Sequence, residues 1–135
     1  MSQKNVEIVR RFLDAYNRRD TAAVAALLHP EVEWHLRAGP SAGIETLHGR
    51  DAALSFMFEE IPGVWSDFRS NAEAVSELRD GHVLAVGHYE GRGTVSGVET
   101  RMDYAAIIRL DAGMIAFFQD FATRREAVKA VGLEE

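Results

Sequence analysis

No cysteine occurs anywhere in the 135 residues. That excludes disulfides, thiolate-bound metals and a cysteine nucleophile, and leaves the domain to stand on its apolar core. Proline is scarce, with three in the chain, so few elements are interrupted by ring sterics. No apolar run approaches the roughly eighteen residues of a membrane-spanning helix. The opening Met1-Ser2-Gln3-Lys4-Asn5 leads into a helical pattern without the apolar core of a secretory signal. These absences give the expectation of a cytoplasmic protein with no membrane partner. Positive charge is also in deficit: fifteen Lys and Arg against twenty-one Asp and Glu leave a formal charge of −6. That sign opposes binding to a phosphate backbone, so no nucleic-acid partner is expected. Arg10-Arg11, Arg18-Arg19 and Arg124-Arg125 lie beside acidic residues and read as solvated faces. Missing too are a phosphate-binding glycine loop, a His-Glu-x-x-His zinc motif and a Gly-x-Ser-x-Gly nucleophile elbow. No metal, nucleotide or other cofactor is called for. Any catalysis is expected to be proton transfer on a small apolar molecule.

What is present reads as one domain spanning 1–135. A chain of this length buries roughly two thirds of its extended surface. Val6, Val9, Leu13 and Tyr16 recur at helical spacing, with Ile8 and Phe12 widening the stripe. Asp20 is placed to cap a second helix, Thr21 to Leu28, which stops before Pro30. Val32-Glu33-Trp34-His35-Leu36 alternates as a half-buried strand does, and residues 38–49 read as a long loop. Leu54, Met57, Phe58 and Ile61 form a third helical stripe, broken at Pro62-Gly63. From residue 64 onward the period is two. Asp80-Gly81 marks a hairpin between strands 68–78 and 82–90. Further strands cover 98–110 and Met114 to Phe121, and Thr123 with Glu126 caps a short last helix. The predicted class is α+β: a curved antiparallel sheet wrapped by N-terminal helices around a central pocket.

Asp120 is the first candidate for chemistry. Alternation sets it with Met114, Ala116 and Phe118, while Ile115, Phe117 and Phe121 take the other side. Apolar neighbours on both faces imply a partly buried carboxylate, suited either to acid–base work or to tying down the strand end. Two partners compete for it. His88 shares the parity of Leu84 and Val86, while Gly87 and Tyr89 lie opposite, and only one set can face inward. His88 would give a His–Asp proton-transfer pair; Tyr89 would offer a phenol to an oxyanion or carbonyl. Tyr16 closes the first helical stripe, and its hydroxyl needs a partner if buried. Phe12, Trp34, Met57, Phe58, Met102, Tyr104 and Phe118 are the expected pocket lining. Glu33 and His35 point outward, as do Arg101 and Asp103.

Phe12-Leu13-Asp14-Ala15-Tyr16-Asn17-Arg18-Arg19-Asp20 resembles the first helix of the SnoaL-like domains, members of the nuclear-transport-factor-2-like superfamily of cone folds. Leu27-Leu28-His29-Pro30-Glu31-Val32-Glu33-Trp34, His48-Gly49-Arg50-Asp51-Ala52 and Phe118-Gln119-Asp120-Phe121 extend the resemblance over nearly the whole chain. It implies a cystatin-like cone, a small-molecule pocket and a homodimer packed through the outer sheet face. It also implies polyketide-cyclase-like or isomerase-like chemistry, or a non-catalytic binding or assembly role. Asp120 falls where the cyclases and epoxide hydrolases of the superfamily carry an acid–base aspartate. The steroid isomerases carry theirs on the first strand, where this chain has Trp34. The epoxide hydrolases add an Arg-x-Asp where this chain reads Gly87-His88-Tyr89, and Arg101-Met102-Asp103 belongs to the next strand.

Overall fold

The computed structural model describes residues 3–35 and 46–132. Leu36, Arg37 and most of the expected loop therefore lie outside the described residues, as does Leu133. The order is α1 (Gln3–Asn17), α2 (Thr21–Leu27), β1 (Leu28–His35), β2 (Thr46–His48), α3 (Arg50–Ser55), a π-helical turn (Phe56–Glu60) and α4 (Ile61–Val64). Four strands and a helix follow: β3 (Trp65–Glu77), β4 (His82–Gly93), β5 (Glu99–Asp111), β6 (Met114–Phe121) and α5 (Arg124–Ala130).

Local chemistry sets these boundaries. The Asp20 carboxylate accepts from the Ala23 amide and starts α2; Thr123 accepts from Glu126 and starts α5. Asp80 and Gly81 both take positive φ, 57° and 76°, as a two-residue hairpin turn with right-handed twist requires. Ala112 and Gly113 repeat that geometry between β5 and β6, at 53° and 78°.

The six strands form one sheet in the order β2-β1-β6-β5-β4-β3. It is mixed and not wholly antiparallel, because β1 runs parallel to β6. The chain leaves β1 through α3 and the long meander, and its last strand returns beside the first in the same direction. Three sequence-based boundaries also shift. The first strand begins at Leu28, where the helix was expected to end; Thr46–His48 pairs with β1 inside the expected loop; and the third helix runs past Pro62-Gly63 to Val64.

Curvature comes from irregularities in pairing. β3 slips against β4 at Ser66/Arg69 and at Ala72/Ala74, and β5 slips against β6 at Arg109/Leu110. The last slip reverses parity along β6. Ile115 joins the inner core with Phe118, instead of pairing with Phe117 outside. The inner face packs on α1, with Val9, Val24, Val32 and Ile108 fully buried. The outer face is covered at one end by Ala127 and Val128 of α5, which rest on Leu84, Ala105 and Ile107.

The second slip of β3 presses that strand onto Gly87. A Cβ there would overlap the Asn71 carbonyl oxygen and lie 2.8 Å from the Ala72 Cα. Backbone atoms in a paired strand cannot give way cheaply. Gly87→Ala is therefore expected to lose about 1–3 kcal/mol by overpacking, read as a lower urea midpoint with an unchanged slope.

Candidate functional site

Helices and sheet part to leave a cavity of about 340 Å³. That is at the small end of the roughly 300–1,000 Å³ typical of small-molecule sites. α1 contributes Phe12, Leu13 and Tyr16 to its walls. Trp34 and Phe118, neighbours in the parallel β1–β6 register, stack at 4.0 Å and 7°. β3, β4 and β5 supply Trp65, Phe68, Ser70, Tyr89, Met102 and Tyr104. Met102 sits at the rim, 43% exposed.

Asp120 lines this cavity, half-buried, and the Tyr89 hydroxyl donates to its Oδ2 at 3.0 Å. The small Ala106 stands opposite Asp120 on β5, leaving room for the phenol to reach across the intervening strand. The Tyr89 ring is held between Phe68 at 5.2 Å and Tyr104 at 4.4 Å, both nearly parallel to it. Tyr89 thus takes the inward place that parity left open.

His88 does not meet Asp120. It lies on the outer face, where Nδ1 is 2.9 Å from a Glu73 oxygen and Nε2 is 2.7 Å from a Glu90 oxygen. The bulge at Ala72/Ala74 brings Glu73 to this position, and Arg101 lies 3.8 Å from the same carboxylate oxygen. A carboxylate only accepts, so the two flanking carboxylates favour the protonated form of the ring. The hydrogen bonds to Glu73 and then Glu90 raise its pKa above the ordinary histidine value, against a smaller opposing effect of burial.

Tyr16 faces the cavity and is 5% exposed, and its hydroxyl has no hydrogen-bond partner among the described residues. Burial pushes the phenol up to about 12, while the Arg19 guanidinium, 5.1 Å from the ring centroid, acts in the opposite sense. An unpaired buried hydroxyl costs about 1–3 kcal/mol, a penalty that a ligand oxygen would remove.

Phe58 is not in the lining. The π-helical turn explains why: the Ile61 amide bonds to the Phe56 carbonyl, five residues back, so Phe56, Met57 and Ile61 reach the cavity. Phe58 packs behind Tyr16, with ring centroids 5.7 Å apart. Trp34, Phe12, Met57, Tyr104 and Phe118 line the cavity as expected. His35 packs against Phe117 and shares a hydrogen bond with Thr46 at 3.1 Å. No cluster of metal-ligating side chains occurs among the described residues.

Sequence reasoning missed Ser70 and Asn17. The Asn17 side chain donates to the Ser70 carbonyl at 2.8 Å and accepts from the Ser70 amide at 2.9 Å. Arg19 bonds the Phe68 carbonyl two residues earlier. Ser70 Oγ in turn shares a hydrogen bond with the Tyr104 hydroxyl at 3.0 Å, wholly buried. Periodicity could not assign this stretch, because two bulges reset the parity of β3. A polar Asn on an apolar helix end was the available signal.

A strongly curved sheet, helices across its concave face and an aromatic cavity between them define a cone-fold protein of the nuclear-transport-factor-2-like superfamily. The model of the SnoaL-like domain matches residues 9–118, and the chain belongs to that family. A structure of a nuclear-transport-factor-2-like protein from Burkholderia thailandensis is similar at 27% identity and TM-score 0.77, covering 97% of this chain and 98% of that one. One from Burkholderia pseudomallei, of unknown function, is similar at 25% identity and TM-score 0.77, covering 93% and 95%. A Catenulispora acidiphila protein with a ketosteroid isomerase-like fold shares the fold at 16% identity and TM-score 0.74, covering 95% and 94%. No curated protein matches the chain.

Two outcomes follow from this geometry. A raised histidine pKa contributes stability that is complete below the unfolded value near 6.5 and is lost as pH rises through the folded value. Wild type should therefore lose stability relative to His88→Gln as pH rises from 6 to 9, measured by urea denaturation. Asn17→Ala removes both bonds to the Ser70 backbone and should lower stability by about 1–3 kcal/mol, with Asn17→Asp failing to restore it because a carboxylate cannot donate to the carbonyl.

Proposed function

We propose that the protein is a cofactor-independent acid–base enzyme of cyclase or isomerase type, acting on a neutral, apolar carbonyl compound. The Tyr89–Asp120 hydrogen bond inside an aromatic cavity carries this reading. Asp120 accepts the proton from the carbon next to the substrate carbonyl. The electron pair of that C–H bond moves toward the carbonyl oxygen, and Tyr16 donates a hydrogen bond to the charge developing there. With its pKa pushed up to about 12, Tyr16 stays a donor throughout the neutral range. Asp120 then returns the proton to a different carbon in an isomerisation. In a cyclisation, the enolate carbon attacks a second carbonyl of the same molecule, the π pair of that carbonyl moves to its oxygen, and the oxygen takes back the proton held by Asp120. Tyr89 fixes the carboxylate in place, and the aromatic walls exclude water from the enolate.

The same reading includes a homodimer formed through the outer sheet face, where Arg101 lies between Glu73 and Asp103. Sedimentation velocity at micromolar concentration checks it.

Activity is tested by deuterium uptake from heavy water into a panel of cyclic ketones, read by mass spectrometry. Wild type should exchange hydrogens next to the carbonyl, and Asp120→Asn should slow this by about 10²–10⁴-fold, the span of general base catalysis. Equal thermal stabilisation of both proteins by a ketone, with no exchange in either, would instead make the cavity a binding site.

A further inference from the structure

The cavity holds more hydrogen-bond donors than the proposed chemistry uses. Four hydroxyls line it: those of Tyr16, Ser70, Tyr89 and Tyr104. Tyr89 donates to Asp120, and Tyr16 is the donor to the reacting oxygen. Ser70 and Tyr104 share a single hydrogen bond, which either hydroxyl can donate, so one O–H of the pair is left with no acceptor among the described residues.

Both members of the pair are tightly held. Ser70 is 5% exposed and Tyr104 2%, and Ser70 is one of only two buried polar residues among those described. The Ser70 backbone is gripped by Asn17 on both its amide and its carbonyl. The Tyr104 ring is fixed by its stack on Tyr89. A buried hydroxyl pair lends nothing to the apolar core that Ala and Phe would not supply, and leaving one O–H unmet is destabilising. Such a pair, preorganised among the residues that line a cavity, is placed to meet an acceptor there.

We propose that Ser70 and Tyr104 form a second oxygen-binding subsite, so that the ligand of this cavity carries acceptor oxygens at two separate positions. One oxygen meets Tyr16 and the other meets the spare O–H of the Ser70–Tyr104 pair. This deepens the acid–base reading by naming the substrate class, and it rests on that reading for the role of Tyr16. Burial, with the Asp120 charge as a lesser cause, keeps Tyr104 protonated by raising its pKa, so it remains a donor at neutral pH.

Binding of three diketone probes tests the subsite: 1,3-diacetylbenzene, 1,4-diacetylbenzene and 2,6-diacetylnaphthalene. Each is paired with an isostere in which one acetyl is replaced by isopropenyl, and affinity is read by titration calorimetry. Wild type should bind at least one diketone about five-fold more tightly than its isostere, the effect of one neutral hydrogen bond. The double variant S70A/Y104F removes both partners together and so keeps the core satisfied; in it the preference should fall below two-fold. Asp120→Asn should keep the full preference, since binding needs no base, which separates this proposal from the catalytic one. Equal affinities within every pair, or a preference that survives S70A/Y104F, would overturn the subsite and leave the catalytic reading standing. Binding of no probe at all would overturn both.

Discussion

The carboxamide of Asn17 occupies the place of a neighbouring strand, and much of the site depends on that substitution. β3 is the last strand of the sheet, so its outward amides and carbonyls have no strand to pair with. Asn17 satisfies one residue of that edge completely, and Arg19 takes the carbonyl two residues away. The helix that carries Tyr16 is thereby tied to the strand that carries Phe68 and Ser70. From Phe68 the contacts pass by ring stacking to Tyr89 and so to Asp120. The two walls of the cavity are held apart at a set distance by one amide.

The polar groups of the cavity share one logic. Each is delivered to a place where water is scarce, and each is held there by packing or hydrogen bonds to its neighbours. Tyr16 is wedged between Phe58 and Phe68, Tyr89 between Phe68 and Tyr104, and Ser70 by its own backbone. Low polarity strengthens whatever hydrogen bonds form there and penalises any left unmade. The outer face works differently. There His88, Glu73, Glu90 and Arg101 neutralise one another beside solvent.

The class of fold was legible in the sequence because it rests on strong local signals. Helical stripes, a hairpin at Asp80-Gly81 and period-two strands survive any tertiary context. Alternation set Asp120 on the side of Phe118 and turned Trp34 inward, and all three lie in the cavity wall. Alternation failed wherever a residue was inserted into the ladder. The slip before Ile115 moved that side chain to the inner face, and the slips in β3 hid Phe68 and Ser70. The five-residue turn at Phe56–Glu60 exchanged Phe58 for Phe56 in the same way. His88 and Tyr89 could not be separated at all, since neighbouring strand residues differ only by which face the sheet chooses to bury. The parallel pairing of β1 with β6 is a long-range choice that no local pattern encodes.

That parallel pairing bears on how the chain reaches its native state. Trp34 and Phe118 stack across it, so one wall of the cavity joins residues separated by most of the sequence. During synthesis the ribosome releases β1 long before its partner exists. Without β6, β1 has among the described residues only the three-residue β2 to pair with, and the indole of Trp34 lacks the Phe118 ring it stacks on. The four-strand meander has no such difficulty, because its hairpins close over short loops at small entropic cost. Of the pairings in the described sheet, that of β1 with β6 closes the longest loop and carries the largest loop-closure cost.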